Sequence, residues 1–388
     1  MIIPALIVAA LLPLPAKAPS GPKPESPVLA LSACADCTQL PAVVAGGAPG
    51  TFTALWRAHS TFDAFYRTFD VQGNAGPEIQ IARGNATRPA GVGVTAAGSF
   101  VLGWLHPGEV FVRRLDPPGN LAGDPIHINA SHPLEVHDDN ASIAVRGDGG
   151  FLAIWDRLQR DTKIVVRRAD TNGALEPEVV IGESMGSSSP VACFTPSGGN
   201  VAAWTLRREF FPDTASQAGI ALRRLAPDGA PVGEVVELRA PDEITYDLGL
   251  ALACAPDGGF VVAWHTRRRP AKAGFDIVLQ RFNAAGAKSG QTVRMNTGAA
   301  GDQTSPALLF EKNGKLLVVW ASAAGGKGEI RGRRLSAKGA PTGAELVLHR
   351  AGAGINPVAP AIAAVGERGQ FVVTWNERDR NFARVFRP

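Results

Sequence analysis

The sequence has 388 residues, of which 44 are glycine, 30 are proline and 45% are hydrophobic. Such a supply of turn-forming residues disfavours long helices and favours many short strands. The formal net charge of +4 is small and the arginines are scattered along the chain. This excludes the concentrated basic stripe of a nucleic-acid-binding protein, and no nucleic-acid partner is expected.

The first 18 residues predict a secretory signal peptide. Residues 1–15 are almost entirely apolar, and Ala16-Lys17-Ala18 follows them as a small-x-small triplet; a plain apolar tail is the alternative.

Residues 19–26 predict a flexible spacer, and no segment is apolar for long enough to span a bilayer. We therefore expect a secreted, periplasmic or cell-surface protein. The residues before Cys34 resemble a lipobox, but the polar spacer precedes them, which disfavours lipid anchoring.

All seven tryptophans end a short apolar segment, and consecutive ones are 48 to 60 residues apart. They are Trp56, Trp104, Trp155, Trp204, Trp264, Trp320 and Trp375. One tryptophan at the same place in each of seven segments indicates a sevenfold internal repeat, and a repeat of this length determines the fold.

Each repeat contains four short apolar segments separated by turn residues, as in residues 305–349. The segment that ends in tryptophan is apolar on both faces, as in residues 260–264, so its sheet must be covered on both sides. Four strands in about 50 residues is the size of a propeller blade. We predict an all-β, seven-bladed β-propeller with four antiparallel strands per blade, over residues 27–388. An open solenoid or a two-layer sandwich is the alternative.

The last repeat lacks a fourth strand before the chain ends at Pro388. It offers three apolar segments, at residues 360–365, 370–375 and 382–387. Residues 27–32 form an unpaired apolar segment shortly before the first repeat. We predict that they complete the seventh blade and remove an open sheet edge.

The repeat unit, seen most clearly as Gly258-Gly259-Phe260-Val261-Val262-Ala263-Trp264 and in later G-x-P-x-G turns, resembles the degenerate repeats of bacterial extracellular and cell-surface propeller-like proteins. The resemblance covers nearly the whole chain after residue 26. It implies a propeller fold, and it implies no particular activity.

Paired basic residues recur near the end of the third strand of several repeats. They are Arg113-Arg114, Arg167-Arg168, Arg223-Arg224 and Arg333-Arg334, with Gln280-Arg281 in the fifth repeat. A basic ring for polyanions is one interpretation. Because the second arginine keeps one repeat position, we expect it to make the same structural contact in each blade, on the tryptophan or on carbonyls of a neighbouring blade.

Two long loops, after Trp204 and Trp264, interrupt the repeat and carry basic and aromatic residues. Loops that follow the second strand and loops that lead into the first strand share one face of a propeller, and function is commonly carried by such loops. The candidate ligand-binding residues are Arg207, Arg208, Phe210, Phe211, His265, Arg267, Arg268 and Arg269. They suit an acidic glycan or a protein; a merely solvated insertion is the alternative.

The four cysteines suit an oxidising compartment. Cys193 and Cys254 occupy equivalent positions in the first strands of adjacent repeats, so a disulfide between them is expected; two small core residues are the alternative. Cys34 and Cys37 predict a local bridge. A polar cluster of His132, His137, Asp138 and Asp139 lacks a further anchored ligand, so no metal site and no cofactor are expected.

Several carboxylates fall near the loop-rich face, and a glycosidase would need two of them at a defined separation. They are Asp156, Asp161, Glu209, Asp213, Asp242, Glu243, Asp247, Glu377 and Asp379. No nucleophile elbow or phosphate-binding motif accompanies them. The leading prediction is therefore a monomeric, non-enzymatic propeller that binds an extracellular protein or glycan. The alternatives are a polysaccharide-acting propeller hydrolase or lyase and a structural envelope or surface module.

Overall fold

The computed structural model describes residues 21–32, 42–45, 50–58, 61–84, 88–116, 120–130, 137–158, 161–186, 188–206, 219–238, 243–244, 249–268, 274–298, 301–366, 368–378 and 380–388. Seven antiparallel sheets follow one another along the chain. The first strand of each sheet lies beside the first strands of the two neighbouring sheets, and the seventh lies beside the first, which closes a ring. The predicted seven-bladed β-propeller is confirmed.

The strands of the first four blades follow chain order from the channel outwards, and they are listed here by blade. Blade 1 contains β3 (Ala42–Ala45), β4 (Thr51–Arg57), β5 (Ala64–Asp70) and β6 (Ile79–Ala82). Blade 2 contains β7 (Arg88–Val94), β8 (Phe100–His106), β9 (Glu109–Asp116) and β10 (Asn120–His127). Blade 3 contains β11 (His137–Val145), β12 (Phe151–Leu158), β13 (Thr162–Ala169) and β14 (Val179–Ser184). Blade 4 contains β15 (Val191–Phe194), β16 (Asn200–Leu206), β17 (Gly219–Leu225) and β18 (Pro231–Leu238).

The last three blades keep this order, with one extra short strand and one strand drawn from the other end of the chain. Blade 5 contains β19 (Glu243–Ile244), β20 (Ala251–Cys254), β21 (Phe260–Arg268), β22 (Asp276–Phe282) and β23 (Val293–Arg294). Blade 6 contains β24 (Gln303–Phe310), β25 (Leu316–Ser322), a 3-10 turn (Ala324–Gly326), β26 (Glu329–Leu335) and β27 (Pro341–Arg350). Blade 7 contains β28 (Val358–Val365), β29 (Gln370–Glu377) and β30 (Arg380–Arg387), completed by β1 (Lys23–Pro24) and β2 (Leu29–Ala30).

Closure of the ring depends on the N-terminal strands. In β2, Leu29 lies opposite Ala383, as the prediction for residues 27–32 requires. The pairing begins earlier than predicted, because Lys23 of β1 lies opposite Arg387. Residues 23–26 therefore belong to the blade and not to a spacer, and Ser26 is buried. Pro24 is compatible with an outermost strand, since a missing N–H is tolerated at a sheet edge. The predicted signal peptide, residues 1–18, lies outside the described residues.

The core lies between blades, because both faces of each second strand are covered. In β25 every residue from Leu316 to Ser322 is buried. Each tryptophan packs against the preceding blade: Trp155 of blade 3 shares a core cluster with Val112 of blade 2. The residue after each tryptophan points the other way, because side chains alternate along a strand. Leu105, for example, joins that same cluster from the side of blade 2.

The recurring arginines connect neighbouring blades, as expected. Arg114 donates to the carbonyl of Asp170 and Arg224 to that of Ala285, each in the turn after the third strand of the next blade. Arg281 does the same with Ala337. These bonds cross from blade to blade, so the structural interpretation of the second arginine is confirmed at these positions.

A disulfide joins Cys193 and Cys254, whose Cα atoms are 5.7 Å apart, and it connects the first strands of blades 4 and 5 as predicted. Cys34 and Cys37 lie outside the described residues. In the part of the chain that is described, no helix has the length and apolar character needed to cross a membrane.

Candidate active site at the channel mouth

The face that carries the loops after the second strands also contains a ring of backbone in the left-handed region. At the start of five first strands one residue has φ between 43° and 54°: Asn140, Ser189, Gly249, Ser305 and Ala359. In blades 3, 6 and 7 the strand register shifts at this residue, which is a β-bulge. We call this end of the channel the mouth. Four of the five residues are not glycine, and each such conformation costs about 1–2 kcal/mol.

The residue that follows each tryptophan lies at the same end of the second strand in every blade. These seven residues, which we call the post-tryptophan ring, are Arg57, Leu105, Asp156, Thr205, His265, Ala321 and Asn376. None is more than 8% exposed. The backbone repeats but the chemistry does not, since ionisable side chains occur in blades 1, 3 and 5. A backbone position that repeats from blade to blade while its side chain varies is typical of a functional surface rather than of a structural position.

Asp156, in blade 3, is fully buried, and its carboxylate accepts hydrogen bonds from two residues. Its Oδ2 accepts from Asn140 Nδ2 and from the backbone N–H of Ser188, each at 2.8 Å. The Ser188 hydroxyl donates to Oδ1. Burial outweighs these bonds and raises the pKa of Asp156 to about 6, with a smaller contribution from the charge of Asp139. Asp156 thus links blade 3 to the start of blade 4.

Asp139 lies directly opposite Asp156 on the neighbouring strand and is the more accessible carboxylate. Its side chain is 24% exposed, and Oδ1 is 2.9 Å from the Arg88 guanidinium of blade 2. The Arg88 side chain is itself 48% exposed. One carboxylate of the pair is therefore buried and hydrogen-bonded, while the other is ion-paired and open to solvent. Environments that differ in this way are how proteins assign different roles to two neighbouring acids.

The strand that carries Asp139 is fixed from behind by a buried polar network. Asp138 accepts from Asn129 Nδ2 at 2.7 Å and from Arg157 Nε at 3.2 Å. Arg157 also pairs with Glu178 at 2.7 Å. Because Asp138 and Asp139 point to opposite sides of β11, the network holds the strand while leaving Asp139 at the mouth.

Arg57 and His265 are the other ionisable members of the post-tryptophan ring. Burial, and then the charge of Arg88, hold the pKa of Arg57 below its ordinary value. Its guanidinium carbon lies 5.0 Å from the centre of the Phe62 ring. His265 accepts a hydrogen bond of 3.4 Å from the backbone N–H of Ser305 and packs edge-on against Phe275.

Of the residues predicted from sequence, the structure brings only some to describable positions. His265 lies at the mouth, but it is buried and packed rather than displayed on a loop. The backbone of Arg267 and Arg268 belongs to β21, where it pairs with β19. Arg207, Arg208, Phe210, Phe211 and Arg269 lie outside the described residues. The predicted polar cluster separates, since His137 is exposed while Asp138 is buried in its network.

No group of three or more His, Cys, Asp or Glu side chains within the described ranges is arranged to hold a metal ion.

Sequence reasoning missed Arg57, Arg88, Asn140 and Ser188. Arg57 could have been found by comparing the residues that follow the seven tryptophans, because the change from arginine to leucine to aspartate is visible in the sequence. Arg88, Asn140 and Ser188 carry no such signal. They lie at the starts of first strands on three different blades, and Arg88 and Ser188 approach the carboxylates of blade 3 only when the blades pack together.

No protein-family model matches the sequence, and no curated protein has a sequence that matches it. Solved structures do share the fold. A PL25 ulvan lyase bound to -[GlcA(1-4)Rha3S]- is 9% identical and superposes with a TM-score of 0.60, covering 90% of this chain and 93% of that chain. The polysaccharide lyase Uly1 is 9% identical, with a TM-score of 0.56 and coverage of 92% and 90%. The Penicillium chrysogenum α-L-arabinanase complexed with arabinobiose is 16% identical, with a TM-score of 0.50 and coverage of 76% and 91%.

These structures overturn the leading prediction from sequence. A non-enzymatic binding propeller was expected, whereas the propellers that this chain resembles are two polysaccharide lyases and an arabinanase. The prediction of a non-enzymatic binding propeller is therefore wrong on this comparison. At these identities the likeness itself establishes the shared propeller fold.

Proposed function

We propose that the chain is a polysaccharide-acting enzyme, a hydrolase or a lyase, with its active site at the mouth between blades 1 and 4. One observation carries the proposal: two carboxylates, Asp139 and Asp156, lie opposite each other on adjacent strands in contrasting environments, with Arg88 beside the accessible one. Solved propellers of the same architecture act on polysaccharides, which supports it.

Asp139 is the group that we assign to proton transfer. Cleavage of a glycosidic linkage by either route needs a side chain that takes or gives a proton at the sugar, and that side chain must reach the substrate. Asp139 is partly exposed, whereas Asp156 is fully buried. Arg88 directs the Asp139 carboxylate and offers its remaining N–H groups to the substrate.

Asp156 acts as a positioning residue. Its carboxylate holds the side chain of Asn140 and both polar groups of Ser188. Asn140 keeps a left-handed backbone with φ of 46°, which free chains seldom adopt. Strained conformations of this kind persist where surrounding contacts over-determine them, and they concentrate at functional sites. Asp156 thereby fixes the strand bulge that presents Asp139.

The disulfide supports an exported protein. Cys193–Cys254 connects two blades, and structural disulfides form and persist in oxidising compartments. A secreted, periplasmic or cell-surface location would give the enzyme access to polymeric glycans.

Substitution of Asp139 tests the function. The purified protein is incubated with uronate-containing, sulfated and neutral polysaccharides, and new reducing ends are measured. We expect turnover of at least one polymer and, for Asp139→Asn, a loss of about 10²- to 10⁴-fold, the usual contribution of a general acid or base. Asp148→Asn is the matched control, because Asp148 is an exposed carboxylate of the same blade in the turn between β11 and β12, at the end opposite the mouth, and should leave activity unchanged.

The products separate the two reaction classes. A lyase leaves a carbon–carbon double bond that absorbs in the ultraviolet, whereas a hydrolase incorporates an oxygen atom from labelled water. Equal activity of Asp139→Asn and wild type would reject the assigned site. Absence of turnover on every polymer class by a folded protein would reject the enzymatic proposal.

A further inference from the structure

Arg57 is a buried cation without a carboxylate partner among the described residues. It is 6% exposed, and its Nε is fully buried with no hydrogen-bond acceptor in the described part of the chain. A buried charge without a hydrogen-bonded partner is costly. Among the residues that the structure describes, no carboxylate neutralises this positive charge.

The surroundings of Arg57 increase this excess of positive charge. Arg88 lies close enough to depress its pKa. Within the described ranges, the carboxylate that pairs with either arginine is that of Asp139, which contacts Arg88 at 2.9 Å. The carboxylate of Asp63 has a different partner, since its Oδ1 accepts a hydrogen bond of 2.7 Å from the backbone N–H of Gly84. Among the described residues, Arg88 therefore has a carboxylate partner, whereas Arg57 has none.

An aromatic ring holds the Arg57 guanidinium in place. Phe62 lies 5.0 Å from the guanidinium carbon and adopts a φ of 58°. This left-handed backbone is strained for a bulky residue. Stacking on a ring orients a guanidinium and leaves its in-plane N–H groups free to form paired bonds to an anion. The arrangement orients a cation without neutralising it, as a preformed anion site requires.

We propose that Arg57 and Arg88 form a subsite for an anionic substituent of a sugar, a carboxylate or a sulfate ester, so that the substrate is an acidic polysaccharide. The inference rests on the proposed function, because it assigns the substrate class of the same mouth. A carboxylate and a sulfate ester each present two adjacent oxygens that a guanidinium can bind through two hydrogen bonds.

Binding measurements test the subsite. Affinity electrophoresis is run with polygalacturonate, dextran sulfate and unmodified dextran, for wild type, Arg57→Met and Arg88→Met. We expect wild type to bind one or both acidic polymers and not dextran, and each variant to bind about 10- to 100-fold more weakly, as the loss of a charged hydrogen bond predicts. The preferred acidic polymer identifies the carboxylate or the sulfate as the recognised group.

A matched control separates the subsite from general positive charge. Arg83 is an exposed arginine at the end of β6, on the same face of the same blade, and it bonds only to Gln80 among the described residues. Arg83→Met should retain wild-type affinity. Equal weakening by Arg83→Met, or equal binding of dextran and the acidic polymers, would overturn the proposal.

Thermal unfolding without polymer provides a second readout. Replacing a buried, unneutralised guanidinium by a side chain of similar length is expected to leave the melting temperature unchanged or to raise it. A lower melting temperature for Arg57→Met would identify Arg57 as a structural ion-pair member and overturn the subsite. The acidic polymer should stabilise wild type more than Arg57→Met.

The two proposals fail separately. Turnover of a neutral polymer that Arg57→Met leaves intact would overturn the acidic-substrate subsite and preserve the enzymatic function. Arg57-dependent binding of an acidic polymer without turnover would preserve the subsite and overturn the enzymatic function.

Discussion

The raised pKa of Asp156 predicts a contribution of this carboxyl to stability that is lost as the pH rises through the acidic range. In the unfolded chain this carboxyl titrates near 3.8, and in the folded protein it titrates at about 6. A separation of about two pH units corresponds to about 3 kcal/mol. Because the folded state holds the proton more tightly, the contribution of Asp156 to the free energy of unfolding falls between about pH 4 and pH 6 and stays lower above that range.

Asp156→Asn removes the charge and with it this part of the pH dependence. Urea unfolding of wild type and variant across this range isolates the contribution, because other titrating groups cancel in the difference. The stability of wild type relative to Asp156→Asn should fall by about 3 kcal/mol from pH 4 to pH 7. Asp161→Asn, at an exposed position, should keep the wild-type slope. A constant difference, or one that grows in favour of wild type with pH, would refute the buried-carboxylate reasoning.

Two further predictions concern the scaffold. Cys193→Ala with Cys254→Ala should lower the free energy of unfolding by about 4 kcal/mol, because the bridge closes a loop with a sequence separation of 61; unchanged denaturant midpoints would contradict this. Gly286→Ala should destabilise by about 1–2 kcal/mol for its φ of 82°, and by more because the new Cβ would lie 2.7 Å from Arg224 Cδ. Gly290→Ala, at φ 78° with nothing within 4 Å, gives the backbone cost alone, so equal losses would show that Arg224 packing contributes nothing.

The sequence predicted the scaffold well because the scaffold repeats. A tryptophan in every blade reports the same packing environment seven times, and Cys193 and Cys254 inherit their proximity from equivalent first-strand positions. The start of the closing strand was misplaced, because the composition of residues 19–26 is typical of a linker while Lys23 pairs with Arg387. Composition alone does not show that the third strand of blade 7 has an open edge with which these residues pair.

The candidate site was harder to predict for a physical reason. Arg57, Arg88 and Asp139 come from three blades and approach one another only after the sheets are arranged around the axis. No local motif contains them. The loop after Trp204 was predicted to bind ligand because of its length and its basic composition. The mouth, in contrast, consists of single residues at the ends of regular strands. Asp156 differs from the other candidate carboxylates in being fully buried, which the sequence does not show.

The pairing of Lys23 with Arg387 has a practical consequence for handling the protein. Both residues lie at the end of the seventh blade where the third strand finishes, on the side of the disc opposite the mouth. Attachment of the protein to a solid support through either of these neighbouring positions would leave Arg88 and Asp139 exposed to the solution. Because the two positions are adjacent, a short peptide could also join them, and the chain could then be opened within another blade without breaking the circular order of the sheets.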